Sequence, residues 1–403
     1  MGSPSPLAVP PASGGTLVHG ALRRTTFVWT IYLLLGLFSF AISMIGPMVP
    51  YLQDETGMSY TLAGLHQSSF AFGMVVMGLF GGQLVSMNSI QKGLWGGMAV
   101  MVTGLGVMVF GRGPFFSLAG VFIMSLGGTL SLSAIQTCFA IEPQPVRRQF
   151  IMEANVVASI MTMLVPLALL AGSATILGWR IVLPVLAVCL LGIASFGVTA
   201  TGRKLRVQHE GLQSNSGKLG PAYWRIWLMM FLGVSVEWAI GFWCMTYLLG
   251  LPGNSRETAA VGTMILGLSS VLGRFAASRI SNRISERHML YAALGIIALG
   301  FPAYWLRAGI ASAFAGLALC GFAGANLYPL GFSMAIGSAP NNPARASSLA
   351  PVASGSAVGL APLLLGRLAD ATDVSLALLY VPIGMAAMLA VLLVDKALQR
   401  DRK

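Results

Sequence analysis

Twelve long apolar runs occupy most of this chain between residues 26 and 395, and short polar segments separate them. An α-helix needs about 20 apolar residues to cross a hydrocarbon core of roughly 30 Å, and the runs have that length. Only 9% of the 403 residues are charged, whereas soluble domains average about 25%. The sequence therefore predicts an all-α membrane protein with twelve transmembrane helices.

The basic residues are distributed unequally between the two ends of these runs. Nineteen of the 24 Lys and Arg residues lie at the ends that share a face with the N-terminus. The exceptions are Arg112, Arg180, Arg256, Arg307 and Arg367. Because basic loops are retained on the cytoplasmic side, we expect a multi-pass protein of the inner or plasma membrane with both termini in the cytoplasm.

The longest polar interruption divides the runs into six and six. It covers residues 201–222, is basic and contains Gly and Ser, which is typical of a linker between two bundles. We therefore predict a disordered cytoplasmic tail (1–25), an N-terminal six-helix bundle (26–200), a linker (201–222), a C-terminal six-helix bundle (223–396) and a second tail (397–403). Two related halves of this kind favour a solute site between them, near mid-membrane.

The loop after the eighth run carries a recognisable signature. It reads Ser278-Arg-Ile-Ser-Asn282-Arg283-Ile-Ser285-Glu-Arg287 and resembles the G-x-L-x-D-R-x-G-R-R cytoplasmic loop of the major facilitator superfamily. The eleventh run adds Gly355, Gly359, Pro362 and Gly366 at spacings that allow close helix crossing. The resemblance implies two pseudo-symmetric six-helix bundles that work by alternating access, with Asn282, Arg283 and Arg287 in a cytoplasmic gate loop. Because Asn282 replaces the acid of the signature, we expect a weak latch here.

Patches in several runs resemble the fucose permease-like sugar/proton symporters of that superfamily. Gln67 falls where that family keeps a glutamine, Glu237, Trp243 and Tyr247 match its seventh helix, and Tyr328 belongs to its tenth. The family's acids of the first and fourth helices are replaced here by Gly46 and Leu132. The resemblance thus implies a sugar-like site but leaves its usual coupling acids absent.

Glu237 is the ionisable residue placed centrally in an apolar run. An ionisable group at mid-bilayer costs about 2.5–3.5 kcal/mol on insertion scales, so its presence needs a reason. Burial favours the protonated form of a carboxyl group, which makes Glu237 the leading candidate for proton coupling or solute contact. The alternative is a structural glutamate that bonds a neighbouring helix.

Other polar and aromatic residues inside the runs have two interpretations each. Gln136, Asn155 and Asn326 either line a cavity or form hydrogen bonds between helices. Trp238, Trp243 and Tyr247 either stack on a solute or pack against neighbouring helices. His66, adjacent to Gln67, is better explained as a packing or hydrogen-bonding residue.

The function predicted from these features is secondary active transport of a small solute. No GxxxxGK[ST] motif supplies a nucleotide site, and the four histidines are scattered, so neither a nucleotide-driven pump nor an enzyme is expected. The net charge of +12 is explained by loops that face anionic lipid, and we expect membrane lipid and a solute as partners, with no nucleic acid. No cofactor is expected beyond a gradient of protons or another ion, and the chain is expected to be a monomer. Proton-coupled, sugar-like uptake is favoured; export of a metabolite or drug by proton antiport, or a receptor that does not transport, are the alternatives.

Overall fold

The structure is a computed structural model, and it describes residues 25–88, 90–140, 146–200, 219–281, 283–306, 308–340 and 342–400. Within these ranges all regular structure is helical, which confirms the predicted fold class. Residues 1–24, most of the linker and residues 401–403 lie outside the described residues, whereas residues 397–400 of the predicted second tail form the end of the last helix. The domain boundaries stay a prediction.

Fourteen α-helices are described, and a 3₁₀ turn at Trp179–Ile181 precedes the sixth. They are α1 Thr26–Thr56, α2 Tyr60–Asn88, α3 Ile90–Phe110, α4 Pro114–Ala140, α5 Val146–Ser173, α6 Val182–Ala200, α7 Pro221–Leu249, α8 Arg256–Ile280, α9 Glu286–Trp305, α10 Ile310–Gly324, α11 Leu327–Gly337, α12 Pro343–Ala371, α13 Val374–Ala377 and α14 Tyr380–Arg400. In the described part of the chain, eleven segments are long and apolar enough to cross a membrane, and α6 contributes a shorter apolar stretch. Two crossings consist of two helices each, α10 with α11 and α13 with α14.

Residues at the helix ends satisfy the backbone groups that each helix leaves unpaired. The side chain of Thr25 accepts a hydrogen bond at the start of α1, and Ser255 does the same at the start of α8. Gly57 follows α1 with a φ of 63°, a left-handed conformation that glycine adopts without strain. Short turns join the crossings that follow one another along the chain. Consecutive crossings therefore run antiparallel.

The helices form two bundles, α1–α6 and α7–α14, each packed around its own first helix. Within the N-terminal bundle α3 and α4 cross closely, since Cβ atoms added at Gly104 or Gly127 would collide with the facing backbone. The bundles meet along three helix pairs, α1 with α7, α2 with α12 and α5 with α8. We call the face on which α1 begins the N-terminal face, and the other the opposite face.

Candidate functional site

A cavity of about 540 Å³ lies between the two bundles. Its walls come from α1 and α5 on one side and from α7, α8, α12 and the α10–α11 junction on the other. Solute pockets in proteins commonly have volumes of about 300–1,000 Å³ and lie between packed elements. The cavity is therefore large enough for a small solute that both bundles contact.

Two charged side chains line this cavity in the described part of the chain, Glu237 on α7 and Arg274 on α8. The nearest guanidinium nitrogen of Arg274 lies 3.9 Å from a carboxylate oxygen of Glu237. This distance exceeds a hydrogen bond, so the pair is electrostatic without being tightly joined. Arg274 is 54% exposed and Glu237 is 28% exposed, which leaves both groups accessible from the cavity.

Arg274 lines the cavity, although the sequence does not predict it as a site residue. It lies near the end of the eighth run, where a basic residue is expected to belong to the N-terminal face. Its long side chain instead extends into the cavity towards Glu237. The sequence does contain one signal for this placement: Arg274 lies inside the predicted limits of its apolar run and not beyond them.

The break between α10 and α11 positions Arg274. Pro329 has no backbone N–H, so the carbonyl of Ala325, four residues earlier, lacks its usual helical partner. Nε of Arg274 donates to that carbonyl oxygen at 3.4 Å. The proline in the sequence therefore fixes the arginine through the carbonyl group that it leaves free.

A stripe of neutral polar side chains faces this charged pair across the cavity. Ser39 and Ser43 lie one turn apart on α1, and Asn155, Ser159 and Thr162 follow one another on α5; all line the cavity. We call these residues the α1/α5 polar stripe. The hydroxyl groups of Ser43 and Thr162 are bonded at 3.2 Å. Ser159 donates to the carbonyl of Asn155 at 2.8 Å, which leaves its hydroxyl oxygen able to accept.

Three predicted site residues line the cavity together: Glu237, Asn155 and Tyr328. Asn326 does not, because its buried side chain donates to the carbonyl of Phe322 at 3.1 Å and extends the hydrogen bonding of α10 into the break. Gln136 also lies outside the cavity and is exposed near the last turn of α4. Neither amide belongs to the cavity lining.

Trp238, another aromatic candidate of the seventh helix, lines the cavity, whereas Trp243 and Tyr247 lie outside its lining. Trp243 is fully buried and contacts the ring of Tyr60 on α2, with centroids 5.8 Å apart. The hydroxyl group of Tyr247 donates to the carbonyl of Trp305 at 2.7 Å. Both side chains therefore pack between helices in this conformation and do not stack on a solute.

Gln67 is completely buried on α2, and neither amide atom has a hydrogen-bond partner among the described residues. His66 beside it bonds the carbonyl of Leu62 at 2.8 Å and the hydroxyl group of Ser117 at 2.7 Å. The two neighbours on α2 thus differ: the histidine has hydrogen-bond partners, and the glutamine has none in the described part of the protein.

The gate loop is described except for Asn282, which lies outside the described residues. Arg283 is exposed, whereas Arg287 donates to Asp395 of α14 at 2.6 Å. Asp395 is fully buried and also accepts from Arg225 of α7 at 2.8 Å. The loop itself lacks the acid of the signature, and its Arg287 pairs instead with an acid on α14. The weak latch stays a prediction. This cluster joins three helices of the C-terminal bundle.

Contacts between the bundles close the opposite face. Asp370, in the last turn of α12, accepts hydrogen bonds from the backbone N–H groups of Tyr60 and Thr61 at 2.7 and 2.8 Å. Arg256 at the start of α8 forms an ion pair with Asp54 near the end of α1. These links join helix ends of different bundles across the interface.

Small residues let the backbones approach below these polar contacts. A Cβ atom at Gly64 of α2 would lie 2.5 Å from the carbonyl oxygen of Pro362 on α12. One at Gly46 of α1 would lie 2.8 Å from the carbonyl oxygen of Phe242 on α7. The hydrogen bonds and ion pairs that Ser68, Asp370 and Arg256 make between the bundles lie in this half. The cavity is therefore closed towards the opposite face and accessible from the N-terminal face, where Asn155 and Arg274 are exposed.

Comparison with known proteins places these features in context. The family model of the Major Facilitator Superfamily matches residues 31–362. A segment of 158 residues is 27% identical to the membrane protein MosC of Rhizobium meliloti, and the match spans 38% of this chain and 38% of MosC.

Two solved structures illustrate the likeness in fold. The nucleoside transporter NupG superposes with a TM-score of 0.74 at 15% identity, over 93% of this chain and 99% of NupG. The fucose:proton symporter FucP of E. coli superposes with a TM-score of 0.62 at 18% identity, over 91% of this chain and 98% of FucP. At these identities the likeness is one of fold.

Proposed function

The chain belongs to the Major Facilitator Superfamily and is a secondary transporter, and on that premise we propose that it couples the movement of a small polar solute to a proton gradient through Glu237. The observation that carries this proposal is the placement of Glu237 in a cavity that both bundles line and that is closed on one face. A carboxylate there gains or loses a proton in contact with whichever side the cavity faces.

Rocking of the two bundles would expose this site to each face in turn. Glu237 would then take up a proton with the solute on one side and release it on the other. The neutral α1/α5 polar stripe would hold the solute without adding a second titrating acid. The named activities of FucP and NupG, a fucose:proton symporter and a nucleoside transporter, agree with a polar solute of this size.

We further propose that the N-terminal face is cytoplasmic and that transport is directed inward. The excess of Lys and Arg at the helix ends of that face supports the orientation. The patches that resemble the fucose permease-like symporters favour the inward direction. In that orientation the structure is an inward-open state, from which a solute bound in the cavity leaves into the cytoplasm.

The experiment replaces Glu237 with Gln and compares two modes of transport in proteoliposomes, with fucose, uridine and gluconate as the first labelled probes. We expect Glu237→Gln to lose accumulation driven by an imposed pH gradient. Exchange of labelled for unlabelled solute, which needs no net proton movement, is expected to persist.

The matched control is Glu257→Gln, which removes an exposed carboxylate at the start of α8, outside the cavity lining. This variant should accumulate solute as the unmodified protein does. Accumulation by Glu237→Gln at the unmodified rate would exclude Glu237 from coupling.

A further inference from the structure

The charge in the cavity is arranged so that a solute meets a cation first. Arg274 is about twice as exposed as Glu237, at 54% against 28%. It also lies closer along its helix to the N-terminal face, from which the cavity is accessible. An anionic group that enters from that face therefore reaches the guanidinium before it reaches the carboxylate.

The guanidinium of Arg274 has unused donors in a fixed orientation. Nε bonds Ala325, and the remaining N–H groups make no hydrogen bond to any residue that the structure describes. Arginine pairs with a carboxylate through two parallel N–H···O bonds, and a guanidinium already anchored at Nε loses less freedom when it does so. The cavity thus contains one half of a carboxylate-binding pair.

The remaining lining suits hydroxyl groups. The α1/α5 polar stripe offers hydroxyl and amide groups that both donate and accept. Three cavity residues also have a backbone carbonyl without its usual helical partner, because the residue four positions later is a proline with no N–H. These pairs are Ser43 and Pro47, Thr162 and Pro166, and Val358 and Pro362. Hydroxyl donors of a solute would satisfy such acceptors.

From this arrangement we propose that the solute is a small polyhydroxylated carboxylic acid, whose carboxylate binds Arg274 and whose hydroxyl groups bind the α1/α5 polar stripe. The inference rests on the proposed proton-coupled transport and names the substrate class of the same site. A carboxylate on the solute gives Arg274 a binding partner, whereas a neutral sugar would not need an arginine in the cavity.

Binding of such an acid would itself draw a proton to Glu237. Two carboxylates would then lie beside one guanidinium, and like charges at that distance favour protonation of one of them. The other titratable groups that line the cavity are Tyr328 on α11 and Cys320 on α10; α1, α5 and α12 contribute none among the described residues. One proton would accompany each singly charged acid, so transport would be electroneutral.

Binding is tested with solutes that differ only at one end. The probes are gluconate and threonate, their neutral counterparts sorbitol and threitol, and the amine glucamine. We expect the purified protein to bind gluconate about tenfold or more tightly than sorbitol, since a charge-assisted bond to Arg274 is added. Arg274→Gln should lose this preference, and Arg274→Lys should keep part of it.

Arg279→Gln is the control, because Arg279 lies further along α8, over the ring of Phe275 and outside the cavity lining. It should bind gluconate as the unmodified protein does. Thermal unfolding of each variant establishes that it is folded. Equal affinity of the acid and the neutral polyol, or binding of neither acid, would overturn the substrate class.

A transport measurement separates this inference from the proposed function. Gluconate entry into proteoliposomes should follow the pH gradient and should not respond to membrane potential. Binding that depends on Arg274 without proton movement would keep the substrate class and overturn the coupling. Proton movement through Glu237 with sorbitol or glucamine, and none with gluconate, would keep the coupling and overturn the substrate class.

Discussion

Gln67 places an amide group in the interior of the N-terminal bundle without hydrogen-bond partners among the described residues. A buried polar group left without a partner costs about 1–3 kcal/mol. Its packing in this conformation therefore opposes stability. A hydrogen bond that the amide makes only after the bundles rearrange, or after a solute binds, would explain why a glutamine is present at this position.

Replacement of Gln67 by Met should raise the unfolding temperature of the purified protein. The two side chains have similar volume, and the change removes the unpaired amide from an apolar site. Thermal unfolding in detergent measures the effect. Gln136→Met, which changes an exposed amide on α4, should shift the unfolding temperature little. A lower unfolding temperature for Gln67→Met would show that the amide is bonded in the folded protein.

At the scale of the helix, the α10–α11 junction shows how a single proline shapes the site. The sequence predicts one continuous run for this crossing, whereas in the structure the helix is interrupted between Gly324 and Leu327. The carbonyl that Pro329 leaves unpaired then accepts from Arg274. The position of the Arg274 side chain therefore depends on the proline of α11 as well as on α8, which carries the arginine.

Pro329→Ala should weaken solute binding by the same route. The new backbone N–H would compete for the carbonyl of Ala325 and release Arg274 from its anchor. We expect lower affinity for gluconate with little loss of thermal stability. Pro302→Ala, in α9 and outside the cavity, is the matched control. Unchanged affinity in Pro329→Ala would show that Arg274 is held by other contacts.

The crossings and their order could be predicted from the sequence because length and hydropathy determine them. Glu237 was predictable as well, since an acid at mid-membrane is conspicuous. Arg274 and Asp395 were not, because each lies near the end of an apolar run, where a charged residue is expected to face water. Their partners lie on other helices, and helices that are apolar all round do not reveal which faces meet.

At the scale of the whole molecule, the two bundles are joined asymmetrically across the membrane. Helix ends meet at the opposite face through Asp370 and through the Arg256–Asp54 pair. Between these links and the cavity, glycines bring the backbones of α2 and α12 into contact. Alternating access requires that these contacts break together, so their combined strength sets the population of the state that opens to the opposite face.

A single substitution of Asp370 removes two hydrogen bonds between the bundles. Its carboxylate accepts two backbone N–H groups at the start of α2, where the helix dipole favours a negative charge. Asp370→Ala should shift the equilibrium about tenfold towards opening at that face, as expected for the loss of two charge-assisted bonds.

Spin labels at Thr175→Cys and Ala311→Cys, with the native cysteines replaced, would report longer distances between the bundles. Asp373→Ala, which removes a cap of α13 within one bundle, should leave the distances unchanged. The same distance distribution in Asp370→Ala as in the unmodified protein would show that the remaining contacts, among them the Arg256–Asp54 pair and the glycine contacts, are enough to keep this face closed.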